Sequence, residues 1–216
     1  RTNTLYRNRG NGRFEDISQT AGVDGGSAWG SGVAAVDIDG DKDLDLYVCN
    51  YGSPNQLFVN DGNGKFVESA SRFGLGHSGA FAMAAFADYD LDGDLDVYLL
   101  GHRFYRAGGR PNRPVTILKD GRNQMLPEFE NYYGVSERRG NMKINNVGAP
   151  DKLLRNDGGR FVEVTQPAGI STNRYHGNSV TWWDFNHDGL PDIYVGNDFE
   201  DPDLLYRNNG NGTFTD

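Results

Sequence analysis

Cysteine is almost absent: Cys49 stands alone in 216 residues, so no disulfide can close within the chain. Lying in the apolar stretch after residue 44, it reads as a small core residue. No apolar run approaches the 18 or so residues that a membrane helix needs. Recognisable catalytic signatures are missing as well. There is no G-x-S-x-G, no H-E-x-x-H and no Walker loop, because the glycine-rich turns lead into Lys-Phe or Arg-Phe rather than Lys-Ser or Lys-Thr before a helix. The four histidines, His77, His102, His176 and His187, share no ligand spacing. His102 and His176 could line a cleft, but read more simply as satisfied surface residues. Positive charge is also short, with 21 Lys and Arg against 30 Asp and Glu for a net charge of −9, which argues against nucleic acid as a partner. The chain starts at Arg1 without Met or a signal segment, so it is expected to be processed or a piece of a longer protein.

The acidity that is present is concentrated. Residues 88–96 read Asp88-Tyr89-Asp90-Leu91-Asp92-Gly93-Asp94-Leu95-Asp96, and residues 37–45 repeat the frame with Asp37, Asp39, Asp41, Asp43 and Asp45. A third copy, residues 184–192, carries Asp184, Asn186, Asp188, Leu190 and Asp192. Together the three stretches hold thirteen of the thirty acidic side chains. Each places an oxygen-bearing residue at loop positions 1, 3, 5 and 9, and two of the three place Gly at position 6. Carboxylates about 5 Å apart repel by roughly 3 kcal/mol per pair at an effective dielectric near 20. Each loop also runs into an alternating apolar segment that pins it to a strand, so the charges cannot spread by opening.

A hard cation resolves that conflict. Calcium takes six to eight oxygens from carboxylates, amides and carbonyls, and magnesium, with its stricter octahedron, is second choice. The expected ligands are the side chains at positions 1, 3, 5 and 9 and the carbonyl at position 7, contributed by Asp43, Asp94 and Leu190. Three such ions would bring the net charge from −9 to about −3. An EF-hand is excluded, because it needs a bidentate Glu at position 12, where this chain has Val48, Leu99 and Val195. A metal-free acidic turn explains one copy easily and three in register poorly.

The chain also repeats itself. The stretch 5–14, Leu-Tyr-Arg-Asn-Arg-Gly-Asn-Gly-Arg-Phe, returns in variant form at 57–66, at 153–161 and at 205–214. Successive offsets are 52, 96 and 52 residues, and the acidic loops move with them. One repeat reads as four strands. A first strand rich in small residues (32–36, 82–86, 179–183) enters the loop, and a second leaves it. The third and fourth form a hairpin around an Asn- and Gly-rich turn that supplies positive φ. Thirty glycines and 12% aromatic residues suit many short strands and turns.

Four antiparallel strands per 40–50 residues make a β-propeller blade. The expected fold is therefore all-β, with a partial blade at 1–20, blades at 28–70, 80–166 and 178–216, and an insert at 101–150. Three and a half blades cannot close a ring, so either the chain is part of a larger propeller or its open edges pair with another copy.

The motif Asp-x-Asp-x-Asp-Gly-Asp-Leu-Asp, followed by Leu/Ile-Tyr-Val and by Leu-Tyr-Arg-Asn-x-Gly-Asn-Gly-x-Phe, resembles FG-GAP/VCBS repeats. Residues 194–199, Tyr-Val-Gly-Asn-Asp-Phe, leading into Leu205-Tyr206-Arg207-Asn208, are similar to the cartilage acidic protein (ASPIC) family. The resemblance spans residues 1–100 and 151–216. It implies an integrin-α-like propeller, commonly seven-bladed, with calcium in its loops and an extracellular or cell-surface setting. Two departures stand out. The first loop has Gly40 at position 4 and Lys42 at position 6, and the third has Asn186 and Leu190 where acids are expected.

The insert reverses the charge. Nine basic residues (Arg103, Arg106, Arg110, Arg113, Lys119, Arg122, Arg138, Arg139 and Lys143) face four acidic ones, a net +5. Aromatic residues are interleaved: Phe104, Tyr105, Phe129, Tyr132 and Tyr133. It is expected to project from one propeller face, either as padding on its own blade or as a docking surface for an acidic protein, an anionic polysaccharide or a second copy. Trp182 and Trp183, adjacent in a first strand, face opposite ways. The sequon at Asn211-Gly212-Thr213 is equally explained by turn chemistry. The expected role is a non-enzymatic extracellular calcium-binding module for adhesion, scaffolding or self-assembly. The alternatives are a lectin-like propeller that stacks Trp29 or another Trp on a sugar, and a non-catalytic part of a polysaccharide-active enzyme.

Overall fold

The computed structural model describes residues 2–138, 141–198 and 201–216. Arg139 and Phe199, singled out above, lie outside the described residues, as do the side chains of Glu137 and Arg138. Strands dominate, and all are antiparallel. A leading hairpin, β1 (Tyr6–Gly10) with β2 (Arg13–Asp16), ends in one helical turn, α1 (Ser18–Ala21). The first complete unit is β3 (Trp29–Val36), β4 (Asp45–Pro54), β5 (Gln56–Asn60) and β6 (Phe66–Glu68), closed by the turn α2 (Ala70–Phe73).

The second unit begins with β7 (Ser78–Ala87) and β8 (Asp96–Gly101). Two hairpins of the insert interrupt it: β9 (Thr116–Lys119) with β10 (Arg122–Met125), and β11 (Tyr133–Arg138) with β12 (Asn141–Asn146). It resumes with β13 (Lys152–Asn156) and β14 (Phe161–Glu163). The third unit is β15 (Gly177–Trp183), β16 (Asp192–Asn197), β17 (Leu204–Asn208) and β18 (Phe214–Thr215). Each unit is a meander in which neighbouring strands pair in sequence order, and the architecture is that of a partial β-propeller. The end of β4 pairs with β7 at Tyr51↔Ala80 and Pro54↔Ser78, joining the first two units into one continuous sheet.

The core lies between units, because each sheet is apolar on both faces of its inner strands. Tyr47, Cys49, Leu57, Phe81, Val97 and Leu154 fill one seam, and Tyr98, Leu100, Leu153, Val180, Ile193 and Tyr206 the next. Trp182 belongs to the second seam. It stacks on Tyr89 with ring centroids 6.1 Å apart and donates its indole N–H to the Ala85 carbonyl at 3.0 Å, whereas Trp183 is half exposed.

The short turns after the hairpins make a close contact with the following unit. Gly74 takes φ +77°, and a Cβ there would sit 2.6 Å from the Phe161 carbonyl oxygen of the following unit. Gly169 stands in the same relation to Phe214, at φ +79° and 2.7 Å. Only glycine satisfies both the left-handed backbone and the close approach. These helical turns are not visible in strand periodicity, although their glycines recur beside each hairpin.

The insert has a small core of its own in Val115, Phe129 and Tyr133. Arg106 and Arg113 lie over the Phe129 ring at 5.6 and 4.9 Å, and Arg113 also pairs with Glu128 at 3.1 Å. No helix among the described residues is long and apolar enough to cross a membrane.

Candidate metal centres in the acidic loops

Each acidic loop is a tight reversal between the first and second strands of its unit, and one backbone solution serves all three. Position 4 is left-handed in Gly40 (φ 77°), Leu91 (60°) and His187 (62°). Position 6 is left-handed in Lys42 (77°), Gly93 (98°) and Gly189 (88°). The departure in the first loop is thereby explained. Its glycine has moved from one left-handed position to the other, and the turn is unchanged.

That turn aims amide N–H groups at the carboxylates. The position-1 aspartate accepts from position 6 in every copy: Lys42 to Asp37 at 3.0 Å, Gly93 to Asp88 at 3.0 Å and Gly189 to Asp184 at 2.9 Å. Position 5 accepts from position 7, with Asp41, Asp92 and Asp188 receiving the N–H of Asp43, Asp94 and Leu190 at 2.9, 3.0 and 3.0 Å. Position 9 is buried outright. Asp45, Asp96 and Asp192 are 0%, 0% and 1% exposed. One oxygen of each accepts from position 2, at Ile38, Tyr89 and Phe185. The other accepts the N–H of a hairpin asparagine, at Asn60, Asn156 and Asn208.

Carboxylates converge in two of the loops. Oxygens of Asp37, Asp39 and Asp45 lie within 4.8 Å of one another, as do those of Asp88, Asp90 and Asp96. In the third loop Asp184, Asp188 and Asp192 form no such trio. There Asn186 occupies position 3 and its amide donates to Asp188 at 2.9 Å. The side chains at position 7 turn elsewhere. Asp94 accepts from Gly158 at 3.2 Å in the hairpin turn, and Asp43 sits against Gly62 of the equivalent turn.

The electrostatics follow from this packing. Burial pushes Asp96 up to about 7, opposed by the amides of Asn156 and Tyr89 and reinforced by Asp90 and Asp92. Asp45 is raised by burial, and Asp90 by burial and then by Asp92. Asp90 is the informative residue, because its Oδ1 is buried with no hydrogen-bond partner among the described residues. A solvent-excluded carboxylate oxygen, unpaired beside two further carboxylates, is the donor set of a hard-cation site. The residues therefore fit a divalent ion. The first and second loops open on one cleft of about 580 Å³, with Arg72 on its wall.

The family model described as the FG-GAP-like repeat matches residues 1–48, 37–99 and 184–216, more than half of the chain. The chain belongs to the FG-GAP-like repeat family. Among curated relatives, cartilage acidic protein 1 of Xenopus tropicalis is 31% identical over 120 residues, covering 50% of this chain and 18% of that protein. Cartilage acidic protein 1 of Mus musculus is 34% identical over 100 residues, and that of Homo sapiens 32%; each match covers 44% of this chain and 15% of the relative. The matches thus span less than a fifth of those relatives' length. All three acidic loops lie wholly within the FG-GAP-like matches, whereas the insert lies outside them.

Two recurring polar devices of this FG-GAP-like chain escape a reading of the loops alone. The hairpin asparagine is one. The other is an Asn or Asp two residues before the third-strand leucine. Asn55, Asp151 and Asp203 each accept an N–H from the end of the second strand, at Asn50, Gly101 and Asn197, and each bonds a tyrosine hydroxyl, of Tyr47, Tyr98 and Tyr194. Their constant offset from Leu57, Leu153 and Leu205 is the signal that finds them. The histidines also need correction. His176 is buried rather than a surface residue, with Nδ1 2.8 Å from Asp201 and Nε2 without a partner among the described residues. Its ring centroid lies 6.5 Å from that of His102, whose Nδ1 is 3.1 Å from the Gly177 carbonyl.

Proposed function

We propose that the chain is part of an extracellular calcium-binding β-propeller that works as an adhesion, scaffold or self-assembly module rather than as a catalyst. The FG-GAP-like repeats and the similarity to cartilage acidic protein 1 support the adhesion-like setting. The single observation that carries the calcium reading is the buried, unpartnered Asp90 Oδ1 beside Asp88 and Asp96.

In this reading Asp37, Asp39, Asp41 and Asp45, and likewise Asp88, Asp90, Asp92 and Asp96, hold one ion each, with the carbonyls of Asp43 and Asp94 completing the sets. Asp184, Asn186, Asp188, Asp192 and the Leu190 carbonyl form a third and weaker site, because one carboxylate is replaced by an amide. Bound calcium supplies two positive charges and a centre for six to eight oxygens. The protein's share is to hold the carboxylates together through amide N–H groups, so that little reorganisation remains on binding. Each loop joins the first and second strands of its unit, so the ion is structural. It stiffens successive blades, taken as 28–70, 80–166 and 178–216, within a larger ring.

The setting is tested by fractionation. The full-length protein, tagged and expressed in its own cells, is expected outside the cell or on its surface, where calcium is on the order of millimolar. Recovery from the cell interior alone would contradict the proposal.

A further inference from the structure

The insert forms an open cavity that the FG-GAP-like repeats do not account for. It measures about 250 Å³ and is lined chiefly by Phe104, Tyr105, Arg106, Arg110, Tyr133 and Asn146. Among the described residues no carboxylate lines it, on a chain whose net charge is −9. The two arginines differ in setting. Arg106 is held in place, donating to the Gly109 carbonyl at 2.9 Å while its guanidinium lies over Phe129 at 5.6 Å. Arg110 is exposed at the rim, and among the described residues it has no carboxylate partner. Tyr105 is 61% exposed, and its position is fixed from behind, because its N–H donates to the Tyr51 hydroxyl and its ring packs 6.3 Å from that of Tyr51.

We propose that this cavity binds one anionic sugar residue, a uronate or a sulfated hexose, within an extracellular polysaccharide. Arg106 and Arg110 pair with the carboxylate or sulfate, for which the planar guanidinium fork is suited. Tyr105 and Phe104 offer apolar faces to the ring, and the Tyr133 hydroxyl and Asn146 amide offer hydrogen bonds to its hydroxyls. At about 250 Å³ the cavity falls just below the roughly 300–1,000 Å³ of sites for drug-sized ligands, which suits a single pyranose. An acidic peptide would use the arginines but leave the aromatic faces and neutral donors without a role. The inference deepens the extracellular reading and rests on it for its biological context.

Titration calorimetry on the calcium-loaded chain tests it, with dextran sulfate and polygalacturonate as anionic glycans and with neutral dextran and polyglutamate for comparison. At least one anionic glycan is expected to bind, with neutral dextran silent and polyglutamate at least tenfold weaker. R110Q and Y105A are each expected to weaken glycan binding at least fivefold. R122Q, on the β9–β10 hairpin and outside the cavity lining, is expected to change it less than twofold. Equal loss in R122Q and R110Q, polyglutamate binding as tight as the glycans, or no glycan binding at all would overturn the proposal. The melting response to calcium is recorded on the same samples, so an intact response without glycan binding rejects this inference and leaves the calcium reading standing.

Discussion

Asn156 donates its main-chain N–H to Asp96 Oδ1 at 2.8 Å, across sixty residues of sequence. The same bond joins Asn60 to Asp45 and Asn208 to Asp192, at 2.7 Å in each. The last carboxylate of every loop therefore locks the third strand of its unit to the second. In the first two loops it also faces a converging pair of carboxylates.

Positions 9 and 5 of a loop should consequently respond differently to mutation. Asp96→Ala strands the buried N–H groups of Tyr89 and Asn156, each costing about 1–3 kcal/mol when unpaired. We expect a loss of about 2–5 kcal/mol in urea denaturation even without calcium. Asp92→Ala removes an exposed carboxylate and should cost less than about 1 kcal/mol without calcium, while abolishing much of the calcium response. Equal losses for the two variants in chelator would contradict the division of labour.

The contact between units at Gly74 predicts a second asymmetry. Gly74→Ala combines a left-handed backbone with a collision at the Phe161 carbonyl, and is expected to lose at least about 2 kcal/mol. Gly158→Ala has φ +63° but open space around the new methyl group, so about 1 kcal/mol is expected. Thermal melts of the two variants side by side provide the check.

Asp151 sets a pH dependence. Burial raises it from the ordinary 3.8 to about 6, against hydrogen bonds from the Gly101 N–H and the Tyr98 hydroxyl. A carboxyl whose folded pKa is raised contributes stability that is complete below its unfolded pKa, near 4, and is lost as pH climbs through about 6. The preceding repeat shows the remedy. Asn55 donates to the Tyr47 hydroxyl at 2.8 Å while still accepting from Asn50 at 2.8 Å. Asp151→Asn should therefore gain on the order of 2 kcal/mol over the parent at pH 8 and nothing at pH 4, in calcium-free denaturation. A gain of the same size at both pH values would show that folding leaves the Asp151 pKa unshifted.

The repeat, the strand order and the acidic loops were legible because they depend on residue types with few substitutes. Glycine and asparagine mark left-handed turns, and carboxylates at alternate positions mark the loops. Other features were hidden for stated reasons. The Asp96–Asn156 bond spans an insert, so nothing local advertises it. Position 7 reads as a carbonyl donor alone, and no local pattern announces that the Asp43 and Asp94 side chains point to the hairpin turns. The pairing of Tyr51 with Ala80 depends on β4 outrunning its own hairpin, which no periodicity signals. His176 is polar in sequence and buried in the fold, because Asp201, twenty-five residues later, folds back onto it.

The central claim, that Asp88, Asp90 and Asp96 gather around a divalent ion, is tested most directly by calorimetric titration of the metal-stripped chain with calcium, using Asp90→Asn as the paired variant. The account predicts saturable binding with at least two sites per chain, of which the variant loses one. A parent chain that takes up no calcium at millimolar concentration, or a variant that binds as many ions as the parent, would contradict it.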